Sequence, residues 1–423
     1  MRRTGPWACA CIQMHVKVAL LIWGLAVSLR QESRNGRFAF GASIGQIWRV
    51  AAACLLSALL IVLDGVRDIA RAETVPLRII SACRATKSWG LFDLPNEKGI
   101  PASSKGTAFL RPAVLHAMAG DFERAFEQFD HAITLDPNNA VFYLGRGIAR
   151  IENRQLDQAI EDLSRAITLN PRSPTGFFRR GQAYEQKREH DRAIQDLDEA
   201  IKLSPGDVVA YLVRGWAYFN SNAHDRAMED MSLAIKLDPV CISGFTQRAI
   251  AYERLGEYER AIADYDRVIE LTPKPMTSDA FELRARAYSG KRDYRRAIED
   301  LGQALKLKAS NASALNGRCF YRAISGAAGE ALTDCNEALR IQPNEPAFLD
   351  SRALAHLKMG ALDEAIADYD AALRVQPKNA NYLYGRGVAR RLKGDAVGSE
   401  ADIMAARAIR PGVIDEMTRH GIK

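Results

Sequence analysis

The side chains that most often carry chemistry are thinly and irregularly placed in this chain. Seven histidines (His15, His116, His131, His190, His224, His356 and His420) are scattered, none in an H-E-x-x-H array and none at metal-ligand spacing from a cysteine pair. The sequence holds no phosphate-binding P-loop, no G-x-G-x-x-G after a strand and no G-x-S-x-G elbow. One pattern of ionisable residues is strictly periodic. Arginine stands at Arg146, Arg180, Arg214, Arg248, Arg284, Arg318, Arg352 and Arg386. Sixteen residues after each comes an aspartate: Asp162, Asp196, Asp230, Asp264, Asp300, Asp334, Asp368 and Asp402. In a helical hairpin that separation puts the two on facing helices, which predicts an ion pair fixing the hairpin. A row of arginines reading an acidic ligand is the other chemistry the pattern allows. Exposed pairs contribute only ~0–1 kcal/mol, whereas removing one partner of a buried pair costs ~3–5 kcal/mol. Partial burial and values in between are expected.

The elements that must position these residues are written in a second ladder. Pro137, Pro171, Pro205, Pro239 and Pro273 fall 34 residues apart, as do Pro343, Pro377 and Pro411. A slot near Ala309 lacks its proline, and a two-residue insertion lies in Pro273–Thr277. A fixed period in this range marks a solenoid. Counting places from Ala140, a small residue recurs at place eight (Gly147, Gly181, Gly215, Ala249, Ala285, Cys319, Ala353, Gly387). Alanine dominates places 20 and 27, and an aromatic stands at place four in most units. The three-to-four spacing of Tyr252, Leu255, Tyr258, Ala261, Ile262, Tyr265, Val268 and Ile269 is helical. Gly256, Gly360 and Gly394 punctuate mid-unit, where a first helix should end, and each proline follows the second. Each unit therefore reads as two antiparallel helices that bury their apolar faces only by stacking on neighbours.

This pattern resembles the tetratricopeptide repeat family, carried in one unit by Tyr211, Gly215, Tyr218, Ala227, Ala234 and Pro239. The resemblance implies an all-α fold, a right-handed α-solenoid of about nine units over 106–413. The end units depart from it. Pro112 stands where other units carry arginine, which predicts a late-starting first helix with Pro112 in its first turn. Ser399 and Arg407 replace the usual alanine and Ile or Leu, which suits an exposed end. The tail 414–423 is expected to be a polar tail or capping turn.

Length and charge bound what else is present. The 423 residues carry a formal charge of +7, but residues 1–72 hold a net +6 and the remainder only +1. The near-neutral solenoid argues against nucleic acid as partner. Segment 1–72 has two apolar runs, Val18–Leu29 and Val50–Leu63, each short of the ~20 residues of a membrane span. Ala70-Arg71-Ala72 after the second is an A-x-A cleavage signature, although 49 residues precede that run. The segment is read as a targeting signal or an anchor, placing the protein in an exported (periplasmic or secreted) or membrane-anchored setting. Any membrane contact would be through this segment if uncleaved; a cytoplasmic helix pair is the alternative. Residues 73–105, with Pro76, Pro95, Pro101, Ser103 and Ser104, read as a linker. Cys319 and Cys335 occupy places 8 and 24 of one unit. They are expected to be packed thiols, or to bond in an oxidising compartment.

These observations predict a non-catalytic scaffold without cofactor or metal, binding a protein or peptide. The alternatives are a regulatory array for an enzyme on another chain and, less favoured, an RNA-binding repeat. By resemblance, places 2, 5, 9, 12 and 13 line a concave groove. The candidate partner-binding residues there are Leu144, Ile148, Phe178, Leu212, Trp216, Phe219 and Ile250, with ordinary inter-unit packing as the competing role. Further along these places turn polar, as Glu282, Arg286, Asn316, Asp350, Lys358 and Arg391. The asparagine with which one family subgroup clamps acidic C-terminal peptides is missing beside every place-seven arginine, so no such clamp is implied.

Overall fold

The structure, a computed structural model, describes residues 106–274, 277–419 and 421–422. The targeting segment 1–72 and the linker 73–105 lie outside the described residues. Nineteen helices and no strand are found among those described. Eighteen form nine antiparallel pairs: α1 (Thr107–Met118) with α2 (Phe122–Leu135), α3 (Ala140–Glu152) with α4 (Leu156–Leu169), α5 (Pro174–Gln186) with α6 (His190–Leu203), α7 (Val208–Asn220) with α8 (His224–Leu237), and α9 (Ile242–Arg254) with α10 (Tyr258–Leu271). There follow α11 (Ser278–Gly290) with α12 (Tyr294–Leu307), α13 (Ala312–Ile324) with α14 (Ala328–Ile341), α15 (Pro346–Met359) with α16 (Leu362–Val375), and α17 (Ala380–Lys393) with α18 (Ala396–Ile409). A short α19 (Val413–Arg419) closes this right-handed α-solenoid.

The turn inside each unit has one solution, repeated nine times. The residue at place 15 takes a left-handed conformation: Gly120, Arg154, Arg188, Asn222, Gly256, Arg292, Gly326, Gly360 and Gly394 all have positive φ. This lets the next amide reach back over the helix end, as in Gln155 N to Arg150 O (2.9 Å), Glu189 N to Tyr184 O (2.9 Å) and Ala223 N to Tyr218 O (2.8 Å). In four units an arginine at place 19 then covers a tyrosine at place 11, from Arg192 over Tyr184 (4.5 Å) to Arg296 over Tyr288 (5.6 Å).

Small residues set how closely the pair approaches. A methyl group at Gly147 would come within 2.8 Å of Leu163 Cγ, and one at Gly387 within 2.9 Å of Ile403 Cγ1. The alanines at places 20 and 27, from Ala159 and Ala166 to Ala365 and Ala372, are buried at the same seam. In the seventh unit the place 8 and 24 residues are Cys319 and Cys335, with Cα atoms 5.5 Å apart, and they are joined by a disulfide. That distance lies inside the disulfide range, so a seam elsewhere filled by packing is here closed covalently.

The two ends are built differently. Pro112 lies inside α1 rather than in its first turn, because the helix already begins at Thr107. Its missing N–H leaves the carbonyl of Ala108, an exposed residue, to be satisfied by solvent. At the other end the tail is an amphipathic cap. Val413, Met417 and Ile422 are buried, α19 packs on α17 and α18, and Lys358 Nζ on α15 donates to the Gly421 carbonyl (2.6 Å). Ser399 is buried and Arg407 is exposed, as suits a terminal pair.

Candidate functional site

The periodic arginines and aspartates are closed pairs in all eight units that carry them. Each arginine donates from Nε and Nη2 to the two carboxylate oxygens at 2.6–2.9 Å, a bidentate fork. The eight aspartates are buried and the arginines mostly so. The hydrogen bonds that Arg284 donates to Asp300, working against burial, raise the Arg284 pKa further above its ordinary value. With Nε and Nη2 of every arginine held by its own aspartate, the row is built as internal ion pairs.

The third arginine nitrogen does something the sixteen-residue spacing does not reveal. It reaches back to place 25 of the preceding unit. Arg146 Nη1 bonds Asp130, Arg180 bonds Ser164 (2.9 Å), and Arg214 bonds Asp198 (2.7 Å). Arg248 bonds Ser232 (3.0 Å), Arg284 Asp266 (2.6 Å), Arg352 Asn336 (3.0 Å) and Arg386 Asp370 (2.6 Å). Place 25 varies among Asp, Ser and Asn, which hides it from a search for identical residues. At the boundary of the sixth and seventh units the position is Gly302, which faces Arg318 with no side chain to offer. The network fixes unit to unit, and thereby the relative angles of the first helices.

Those first helices form the candidate interaction face. Six of the eight successive pairs of first helices touch, whereas successive second helices scarcely meet, so the first helices line the inner curve. The curve treats the seven candidates unequally. Leu144, Ile148, Phe178, Leu212 and Phe219 are buried, Phe178 with 1% and Leu212 with 0% of its surface exposed. They pack in the buried clusters where unit stacks on unit rather than on an open wall. Trp216 and Ile250 stay half-buried. Trp216 stacks edge-on against Phe219 (5.4 Å between centroids), and the Arg254 guanidinium lies over the Trp216 ring (5.2 Å) and near the Phe219 ring (5.9 Å). The Trp216 indole Nε1 is buried without a hydrogen-bond partner among the described residues. A search weighted to apolar residues passes over Arg254, although its place 13 is one of the groove places.

Beyond Trp216 the face becomes a polar lattice. Arg286 donates to both carboxylate oxygens of Glu253 (2.5 and 3.0 Å), which also accepts from the Tyr265 hydroxyl (3.0 Å). Burial, then the Glu253 charge, raises the Tyr265 phenol. Tyr321 stacks on Tyr294 (6.1 Å) and meets Phe320 edge-on (5.7 Å). Glu282 accepts from the Asn311 amide (2.5 Å).

Such a face, held at fixed angles by saturated ion pairs, defines the class: a helical-repeat interaction scaffold. Tetratricopeptide repeat models match residues 144–208 and 282–346, residues 215–286, and residues 355–394. The chain belongs to the tetratricopeptide repeat family. Among solved structures it is similar to a chain of the APC/C hetero-tetramer Cut9–Hcn1, at 18% identity and TM-score 0.45 over 61% of this chain and 50% of that one. It is also similar to a tetratricopeptide repeat protein from Parabacteroides merdae (17%, TM-score 0.46, 59% and 98%) and to MamA (26%, TM-score 0.35, 38% and 93%). The chain spans half the length of the Cut9–Hcn1 chain it matches. No curated protein matches it. No helix among the described residues is long and apolar enough to cross a membrane.

Proposed function

We propose that the protein is a non-catalytic scaffold whose inner face receives a protein or peptide segment, with Trp216 as the anchor. One observation carries this reading: a half-buried tryptophan on that face, clamped by Phe219 and Arg254, holds a buried indole N–H that no group among the described residues accepts. Interface hot spots concentrate Trp and Arg in partly desolvated pockets. A backbone carbonyl of an extended or helical peptide would satisfy the N–H while its side chains cover the ring. The apolar run and A-x-A signature in 1–72 support an exported or membrane-tethered setting, which N-terminal sequencing of the expressed protein tests.

The test of the groove is cross-linking capture of partners by the full chain, comparing wild type with Trp216→Ala and Arg254→Ala. Both residues are partly open, so melting should stay close to wild type while the captured partner is lost. Phe178→Ala is unsuitable, since that ring is core. Unchanged capture by both variants would remove the Trp216 face from consideration.

A further inference from the structure

The inner face of the last three units buries polar atoms that the fold leaves unused. Asn316 on α13 and Asp350 on α15 hold the same place on successive first helices, where earlier units carry Leu144, Phe178 and Leu212. These two helices also pack along each other more closely than other first-helix neighbours do. The Asn316 Oδ1 atom is buried and accepts no hydrogen bond among the described residues. The hydroxyl of Tyr369 on α16 is equally buried and unbonded, on a side chain with 0% exposure. It lies on the backbone of Gly385 in α17, where a methyl group would stand 2.4 Å from the hydroxyl oxygen.

Asp350 belongs to the same neighbourhood. After burial itself, its charge is the next cause that raises the phenols of Tyr369 and Tyr382, the latter to about 12. Among the described residues no donor reaches the Asp350 carboxylate, and burial alone pushes its carboxyl up to about 7. The residue nevertheless keeps part of its surface open. The basic residues of its own helix are engaged elsewhere: Lys358 with the Gly421 carbonyl, Arg352 with Asp368 and Asn336. The cluster therefore offers a carboxylate and an amide oxygen as acceptors, a phenol that can donate or accept, and no internal cation.

We propose that Asp350, Asn316 and Tyr369 form a subsite on the inner face that takes the basic side chain, lysine or arginine, of a bound peptide. This rests on the reading of the inner face as a peptide groove and adds a chemical preference to it. An ammonium or guanidinium donates to the carboxylate and the amide oxygen together. Its charge favours the ionised form of Asp350, making the contact charge-assisted. The amide oxygen and the phenol are already stripped of solvent and the carboxylate partly so, which limits the hydration that binding forfeits. An isosteric apolar side chain would leave them unpaired, and an acidic one would be repelled.

The experiment pans the full chain against randomised nonapeptide arrays whose central residue is fixed as lysine, arginine, norleucine or glutamate. Wild type should retain the lysine and arginine arrays at least about tenfold more than norleucine, and glutamate least. Asp350→Asn should erase that preference while still retaining peptides through Trp216, and Tyr369→Phe should weaken it. Equal retention of lysine and norleucine arrays by wild type, with retention lost in Trp216→Ala, overturns the subsite and leaves the groove standing. A lysine preference that survives both Asp350→Asn and Tyr369→Phe overturns the assignment to these residues. Retention of no array overturns the subsite and the groove together.

Discussion

Replacing Asp264 with asparagine tests the reasoning behind the ion-pair ladder. Asp264 is 5% exposed and accepts two 2.8 Å bonds from Arg248, whose side chain is 20% exposed. Breaking a buried pair from one side costs ~3–5 kcal/mol. Three features reduce that here. Arg248 keeps solvent contact, keeps its bond to Ser232 (3.0 Å), and lies over the rings of Tyr252 and Phe245 (5.9 and 6.0 Å). Asparagine can also accept one of the two bonds. The expected loss for Asp264→Asn is therefore about 2 kcal/mol. Arg248→Met should cost about 3 kcal/mol, because it strands a nearly fully buried carboxylate. The double variant should lose about 3 kcal/mol rather than the summed 5, a coupling of about 2 kcal/mol. The assay is urea unfolding followed by helical circular dichroism. Slopes should be compared between variants, since a stacked array can unfold in segments. Additive losses, with no coupling beyond ~0.5 kcal/mol, would refute the pair as an energetic unit.

Four further outcomes follow from the same geometry. Gly302→Asp supplies the missing inter-unit partner for Arg318, whose Nη1 lies 3.9 Å from the position of a Cβ there, and should stabilise by about 1 kcal/mol in urea unfolding. Arg188→Gly relieves an exposed left-handed arginine at the turn after α5 and should raise stability by about 0.5–1 kcal/mol by thermal melting. Converting both Cys319 and Cys335 to alanine opens a loop spanning 16 residues and should cost about 3 kcal/mol; reductant should lower the melting temperature of wild type more than that of this variant. Asp350 has its folded pKa raised from 3.8 to about 7, so its contribution is full below pH ~4 and is lost as pH rises through 7. A displacement of that size corresponds to at most about 4 kcal/mol, and the open edge of the residue roughly halves it. Asp350→Asn should therefore be more stable than wild type by about 2 kcal/mol at pH 8 and match it at pH 4, read as the difference between the two pH–melting curves.

What the sequence determined by itself is whatever repeats within one unit. The proline and alanine periods and the sixteen-residue Arg–Asp separation are local solutions to pairing two helices, so each recurs at a fixed place and can be counted. Tertiary structure decided what happens between units. Place 25 bridges neighbouring units with Asp, Ser or Asn alike, because any short acceptor serves the third arginine nitrogen. Places 5 and 12 looked open on a single helix, yet Phe178, Leu212 and Phe219 are buried, because neighbouring units stack into one shared core around them. Trp216 stays partly open at place 9 of the same unit, and Asp350, at place 5 of a later one, is left without a donor. These differences arise from how far each helix pair stands from its neighbour. That spacing is set by summed packing across a seam, and the 34-residue period does not encode it.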